Sequence, residues 1–415
     1  MERKAAMQGN IEENLVYDPA FASKTLATWG EYVDLLKPAE ELIKNIPGPQ
    51  NEQIRADLYK QFAMTLSQGY FLYFQADTNH PEWAPLWNSI YLAQPNPDDV
   101  YYVALINDQS TYRVVGERGT SPIVNFTVGN YLFGFHTEPG PSFGDYELDK
   151  MQLGADGSFE IIFSPKRPEG YTGNWIELKP TTNYILLRQR SYDWGREKDV
   201  RIAIERVDAP NLKPHMSAED IDSSLRALFG GYVRRMSAIS LEWMNRTADR
   251  GFVQKFNINA YSEGGASPDW PQVYWECVYE IAEDEALILE TELPAVRKYW
   301  NIQVTDALWN QVEMVYRQSS LNGFQAKIDS DGKFRAVVSV KDPGIANWLD
   351  TGGSLYGMLI GRWYGCDRHP VPQLTKVKIA DLRKHLPDDT PAFTSEEREE
   401  SLRTRRIGAQ MRRRW

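Results

Sequence analysis

Two short runs set an arginine and a tyrosine two residues apart at the end of an apolar stretch: Arg190-Ser191-Tyr192 and Arg362-Trp363-Tyr364. In a strand, residues i and i+2 share a face, so each arginine points the same way as its tyrosine. A guanidinium among aromatic rings offers a planar fork of donors and a stacking surface, which suits a carboxylate, a phosphate or a polarised carbonyl. Asp350, beside Thr351-Gly352-Gly353, is an acid–base group if desolvated and a turn aspartate otherwise. Tyr101 and Tyr102 alternate faces, so one enters the core and the other reaches a pocket wall, where a phenol donates a hydrogen bond or a proton. The candidate site is therefore Arg362, Asp350 and Tyr102 as catalytic groups, with Tyr101, Tyr364, Arg190, Trp300 and Asn322 around a substrate. Each has a plainer reading: an arginine paired with Asp350 or another carboxylate, a core tyrosine, an asparagine holding a turn.

Other chemistries find little support. The histidines, at 80, 136, 215, 369 and 385, never fall two to five residues apart, and HExxH, HxH and CxxC are absent. His136 with Glu138 is the one histidine–carboxylate pair at strand spacing. The chain has no GxSxG elbow, P-loop or GxGxxG. Ser319-Ser320-Leu321-Asn322-Gly323 sets two hydroxyls beside a turn, without an obvious base. No metal and no other cofactor is expected.

The elements that position these residues occur twice. Residues 153–194 carry Asp156-Gly157, Asn174-Trp175 and Arg190; residues 319–364 carry Asp331-Gly332, Asn347-Trp348 and Arg362 in the same order. Asn174 to Arg190 is 16 residues and Asn347 to Arg362 is 15. We read a tandem duplication, with Asn174 and Asn347 holding equivalent turns. The second copy, with SLNG, a DG turn, DPG, NWLDTGG and Arg362-Trp363, resembles the bacterial family called domain of unknown function 1214. The upstream stretch NPDDVYYVALINDQSTYRVVGERG, from Asn96 to Gly119, resembles that family's companion segment. The resemblance spans most of residues 80–390.

Brief alternating runs with turns every eight to twelve residues give a mainly β fold with α: two tandemly related antiparallel β-sandwich or barrel units, an N-terminal helical subdomain and a connecting helix. The expected divisions are a disordered lead (1–15), the helical subdomain (16–95), the first β unit (96–210), the connecting helix (217–246), the second β unit (247–387) and a C-terminal helical arm (388–415). Within the subdomain, Ile54, Leu58, Phe62, Leu66 and Tyr70 recur every fourth residue as one buried stripe. In the arm, acids precede arginines as the helix dipole favours, and Ile407, Met411 and Trp415 form a short apolar stripe. Such a helix needs a docking surface; its arginine-rich face matches the acidic body of its own or a neighbouring subunit, and a homodimer through the arm is expected.

The net charge is −11; residues 403–415 hold six Arg and no acid, so residues 1–402 carry −11 − 6 = −17. That balance argues against nucleic acid as a partner. No segment reaches the ~18 apolar residues of a membrane span, and the N-terminus lacks a signal-like apolar run. The two cysteines are read as reduced thiols of a cytoplasmic protein. The combined reading is a metal-independent enzyme acting on a small, hydrophobic or polycyclic organic substrate by acid–base or electrostatic catalysis, of the hydrolase, lyase or isomerase type. The alternative is a carbohydrate- or lipid-binding β-sandwich protein using an aromatic face with Trp270, Trp275 and Trp300. A catalyst encloses an apolar cavity with convergent polar groups, whereas a sugar binder shows an open aromatic platform.

Overall fold

The strands of the two units hydrogen-bond in the same order. A computed structural model describes residues 25–49, 51–130, 132–136, 142–249 and 271–412. The expected lead, Glu138, Trp270 and Trp415 lie outside them. The first unit runs β1 (Ala84–Pro85), β2 (Asp99–Leu105), β3 (Tyr112–Glu117), β4 (Ile123–Gly129), β5 (Ser142–Glu147), β6 (Ser158–Ser164), β7 (Asn174–Glu177), β8 (Tyr184–Arg190) and β9 (Arg201–Arg206). The second runs β10 (Gln272–Glu280), β11 (Glu285–Glu292), β12 (Arg297–Val304), β13 (Ser320–Asn322), β14 (Lys333–Ser339), β15 (Trp348–Asp350), β16 (Tyr356–Cys366) and β17 (Gln373–Lys378). The first unit pairs β1-β2-β8-β4-β5 over β7-β6-β3-β9, and the second β10-β16-β12-β13 over β15-β14-β11-β17. Apart from the short β1, every strand has its counterpart. In each unit the one parallel pair is the matching one, β6 with β7 and β14 with β15.

The repeated sequence anchors explain this agreement. Asn174 Nδ2 donates to the carbonyls of Gln152 and Glu160 while its Oδ1 accepts from Gln152 N–H. Asn347 does the same with Lys327 and Arg335. Asp156 and Asp331 each accept from the N–H two residues on, and the glycine that follows each has φ of +82°. A left-handed residue at that point favours Gly, and the DG turn fixes where β6 and β14 begin.

The helices form a layer over both units. Among the described residues the α-helices are α1 (Trp29–Asp34), α2 (Glu52–Tyr70), α3 (Ala218–Ala227), α4 (Val233–Asp249) and α5 (Ser395–Met411). Ser217 and Asp220 make a capping box at the start of α3, and a π-helical turn at Leu228–Tyr232 carries the chain straight into α4. Ring and aliphatic contacts join α2 and α4 to Tyr101, Val103 and Leu186 of the first unit, and to Val278, Met358 and Ile360 of the second. The subdomain thus packs on both sandwiches. Its stripe also drifts. A spacing of four advances about 40° per step beyond a full turn, so Tyr70 ends up about 160° from Ile54. Tyr70 is 57% exposed, and Gln61, Thr65, Gln68 and Gly69 take over the buried face.

The arm docks by its basic face. Arg398, Arg405 and Arg412 recur every seventh residue, a spacing that keeps them on one side, and all three are buried. Arg398 reaches Asp342 and the Ile345 carbonyl; Arg405 reaches the Met314 carbonyl and Ser320 and stacks on Trp194; Arg412 pairs with Asp199 and donates to the carbonyls of Asp98 and Gln189. Arg398 holds the second unit, Arg412 holds the first, and Arg405 bridges the two through Ser320 and Trp194. Ile407 and Met411, expected to dock, are 52% and 67% exposed. The reason is that backbone carbonyls of Met314, Ser320, Ile345, Asp98 and Gln189 line the groove, and these accept from N–H donors rather than packing on methyl groups.

Arg405→Ala should cost about 2–4 kcal/mol in urea unfolding, since it leaves buried carbonyls unpaired. Ile407→Ser should stay within about 0.5 kcal/mol. The reverse ranking would restore the apolar stripe as the docking face. A second prediction concerns Asp306, in the loop packed under α2. Burial pushes its carboxyl up to about 6, against the Asn310 and Leu308 N–H groups that favour its charge. The folded state therefore holds this proton more tightly than the unfolded one, and stability falls as pH rises through that range. Asp306→Asn abolishes the dependence, so its stability relative to the parent should rise by about 1.5 kcal/mol from pH 5 to pH 8. A pH-independent difference would argue against the raised value.

Candidate functional site

Arg190 and Arg362 both leave the outer faces of their sandwiches and point into the seam where the two units meet. Arg190 Nε and Nη2 donate to the two oxygens of Asp99 at 2.6 and 2.8 Å, and Nη1 donates to Gln272 of the other unit at 2.8 Å. Its guanidinium lies 4.3 Å from the Tyr299 ring centre and 5.2 Å from that of Tyr364. Arg362 reciprocates: Nη2 donates to Gln94 Oε1 of the first unit at 2.9 Å, and Nη1 to Gln303 at 2.8 Å. Burial raises the Asp99 carboxyl, but the charge and hydrogen bonds of Arg190 outweigh it, leaving the group below its ordinary range. The expected carboxylate partner of an aromatic-flanked arginine is thus a residue of the chain itself.

Asp98, next to that pair, is the hub of the seam. Its Oδ1 accepts from Trp194 Nε1 at 2.8 Å and from Asn322 Nδ2 at 2.7 Å, and its Oδ2 accepts from the Tyr299 hydroxyl at 2.6 Å. Its carbonyl takes Ser191 N–H and Arg412 Nη1. Complete burial pushes this carboxyl up despite its three donors. Asn96 joins on, donating to the Tyr299 hydroxyl and accepting from Asn301. Sequence order alone put Asp98 and Asp99 on adjacent, opposite-facing positions of NPDDVYY; two successive acids entering an apolar strand were the available sign that buried cations lay nearby.

The candidate residues divide. Arg190, Tyr364, Asn322 and Arg362 come together in the seam. Tyr192 joins them, its hydroxyl accepting from the Trp300 N–H at 3.0 Å. Asp350 does not: it ends β15 in the opposite sheet from Arg362, accepts from Gly352 N–H at 2.8 Å and pairs with Arg317 at 2.9 Å. It is a turn aspartate. Trp300 is core, edge-on to Phe334 at 4.8 Å, and Trp275 lies in the same cluster, so they form no open aromatic platform. Tyr101 packs on Trp87 and accepts from Asn96 N–H, while Tyr102 faces the first sandwich's interior. Ser319 donates to the carbonyls of Val312 and Glu313, as a turn residue does. Among the described residues no group of three or more His, Cys, Asp or Glu is placed to hold a metal ion.

Beside the seam, under α5, lies a cavity of about 490 Å³. Tyr192, Trp194, Leu321, Phe324 and Phe393 form its apolar walls; Glu397, Glu400, Ser401 and Thr404 of α5 form a polar side. The hub braces it from behind. Trp194 is held by Asp98, and Asn322 Nδ2 also donates to the Tyr192 carbonyl at 3.1 Å.

Two sandwiches of one strand order, closed face to face over a buried polar seam and tied by a C-terminal helix, define a duplicated β-sandwich protein. The family model described as "Protein of unknown function (DUF1214)" matches residues 105–193 and again residues 280–368. Both units belong to that family, and the chain is a protein with two tandem DUF1214 units. The crystal structure of an uncharacterized protein from Burkholderia cenocepacia is similar over 85% of this chain and 97% of that one, with 24% identity and a TM-score of 0.78. The VPA0106 protein from Vibrio parahaemolyticus aligns over 84% of this chain and all of its own, at 11% identity and a TM-score of 0.46. A comparison with curated proteins found no match.

The seam makes a stability prediction. Asp99→Asn leaves the buried guanidinium of Arg190 uncompensated and should cost about 3–5 kcal/mol. Replacing both, as Asp99→Leu with Arg190→Met, should cost less than Asp99→Asn alone. Urea unfolding of the three proteins decides it, and a double variant worse than the single would show that the charge pair is not the dominant contact.

Proposed function

We propose that the protein holds a small, largely apolar organic molecule in the cavity under α5. The observation that carries this reading is the cavity itself: aromatic walls on one side, a short row of helix-borne polar groups on the other, and wall residues fixed from behind by the Asp98 hub. A pocket of a few hundred Å³, mostly apolar with a few placed polar groups, is the usual form of a small-molecule site. The ligand would lay its apolar body on Phe324 and Leu321 and turn a hydroxyl or amine toward Glu397, Glu400 and Thr404.

Catalysis on that molecule is a second reading, favoured by one observation. Asp98 has its carboxyl raised by burial and lies one residue behind the wall, in contact with Trp194 and with the asparagine that holds Tyr192. A carboxyl whose proton is held more tightly because of burial, kept near an apolar pocket, is suited to acid catalysis. The trio of Arg362, Asp350 and a tyrosine does not supply it, because Arg317 and a turn amide occupy Asp350. Among the described residues no helix is long and apolar enough to cross a membrane. Both cysteines are free thiols, which supports a reducing compartment such as the cytoplasm.

N-phenyl-1-naphthylamine, a neutral apolar amine whose fluorescence rises on burial, tests the binding reading. It should bind the full chain, and Phe324→Ala should weaken it ~5- to 30-fold, the equivalent of about 1–2 kcal/mol of lost apolar contact. Thr404→Trp, which fills the cavity from α5, should abolish it. Binding that survives both changes would overturn the assignment.

A further inference from the structure

The lining of the cavity under α5 narrows the chemistry of what it can hold, first by hydrogen-bond sense. α5 presents one stripe to it: Glu397, Glu400, Ser401 and Thr404 lie three or four residues apart along a single helix face. Two of these are carboxylates, and the two hydroxyls accept as readily as they donate. Glu397 gives one oxygen to the Thr394 N–H of the helix cap at 2.8 Å, and Glu400 stands 3.4 Å from Arg403 on the exposed side. Asp193 adds a third carboxylate, accepting from Gly195 N–H at 3.2 Å.

Most donors of the same lining are already committed. The Gln318 amide donates to the carbonyls of Ala346 and Trp348 at 3.1 and 2.7 Å. Arg405 donates to the carbonyls of Met314 and Ser320 and to the Ser320 hydroxyl. That leaves Gln325 and the exposed Lys327. On the α5 side the walls accept, so a molecule seated there has to donate.

Charge is constrained as well. Three carboxylates beside aromatic rings would by themselves suit an ammonium group. Here the rings already have cations: the Arg398 guanidinium lies 4.5 Å from the Phe393 ring centre and that of Arg405 lies 4.6 Å from Trp194. With Lys327 in the lining too, a cationic ligand meets like charge around the very rings that would attract it. An anionic ligand meets the carboxylates of α5. The balance favours a molecule without net charge.

We infer that the ligand of this cavity is a neutral hydroxyaromatic molecule, an inference that rests on the binding reading above and gives it a chemical class. Its ring system lies on Phe324, Phe393 and Leu321. Its O–H donates to Glu400, with the Thr404 hydroxyl alongside.

Three probes separate the possibilities: 2-naphthol; 2-fluoronaphthalene, of nearly the same shape but without a donor; and naphthalen-2-ylmethylamine, a cation at pH 7. Each is measured by displacement of N-phenyl-1-naphthylamine from the full chain. 2-Naphthol should compete ~3- to 10-fold better than either of the others, the value of one net hydrogen bond. Glu400→Met combined with Thr404→Val removes both acceptors at similar size, at exposed positions beyond the helix cap. It should erase the advantage of 2-naphthol and leave 2-fluoronaphthalene unchanged. If N-phenyl-1-naphthylamine does not bind at all, the binding reading falls and this inference with it. If it binds and is displaced equally by 2-naphthol and 2-fluoronaphthalene, or best by the amine, the cavity keeps its role and the hydroxyaromatic class is overturned. An advantage that survives the double variant would overturn it too.

Discussion

The ion pair between Arg190 and Asp99, with neither side chain more than 2% exposed, is the constraint around which the seam is built. Taking two charges out of water is expensive, and the attraction offsets that only when the remaining donors and acceptors are satisfied and the geometry is fixed. Here the other unit completes the shell, with Gln272 on the free guanidinium nitrogen and two tyrosine rings against its face. An arginine of the first unit is therefore tolerable only in the presence of the second. The same strand end holds Asp98 in place, and Asp98 in turn fixes Trp194 and, through Asn322, Tyr192. The walls of the cavity under α5 are positioned by groups buried one residue deeper.

Trp194-Gly195 lines the cavity under α5 on one side and, on the other, a groove of the first unit beside Lys198 and Arg201. Gly408 of α5 packs directly on it: a Cβ there would come within 3.0 Å of Gly195 N and 3.1 Å of the Trp194 Cβ. The arm, the partition and the hub thus form one contiguous set of contacts, in which Arg405 stacks on the face of Trp194 and Asp98 holds its indole N–H.

Strand positions, the connecting helix, its cap and the duplication were legible in the sequence because each rests on local signals: apolar alternation, DG turns, a serine three residues before a carboxylate. The seam was legible only in part. Arg190, Arg362, Tyr364 and Asn322 stood out by type and spacing, but the partners of each arginine come from the other unit, and no local pattern encodes which faces of two sandwiches meet. Asp350 misled for a related reason: proximity in sequence to Arg362 hid the fact that β15 and β16 lie in different sheets. In the arm, the apolar stripe and the match of the arginines to the acidic body both suggested docking; the seven-residue arginine spacing carries the face that docks. Burial followed the need to satisfy carbonyls, which hydrophobic periodicity does not record.

Arg190 and Arg362 each reach toward the start of the first long strand of the other unit, Gln272 opening β10 in one direction and Gln94, a few residues ahead of β2, in the other. Such reciprocity is the mark of an isologous contact, the kind that joins two identical subunits about a two-fold axis. A single-unit ancestor that paired through this face would have been bound by its symmetry: every substitution would appear on both sides at once. Fusion into one chain lifts that restriction. One arginine pairs with an aspartate while the other meets neutral amides, and one sandwich carries Trp275, Trp300 and Trp363 where the other carries Val100, Pro122 and Ser191. The tandem arrangement is what permits a protein built from two equal parts to be unequal inside.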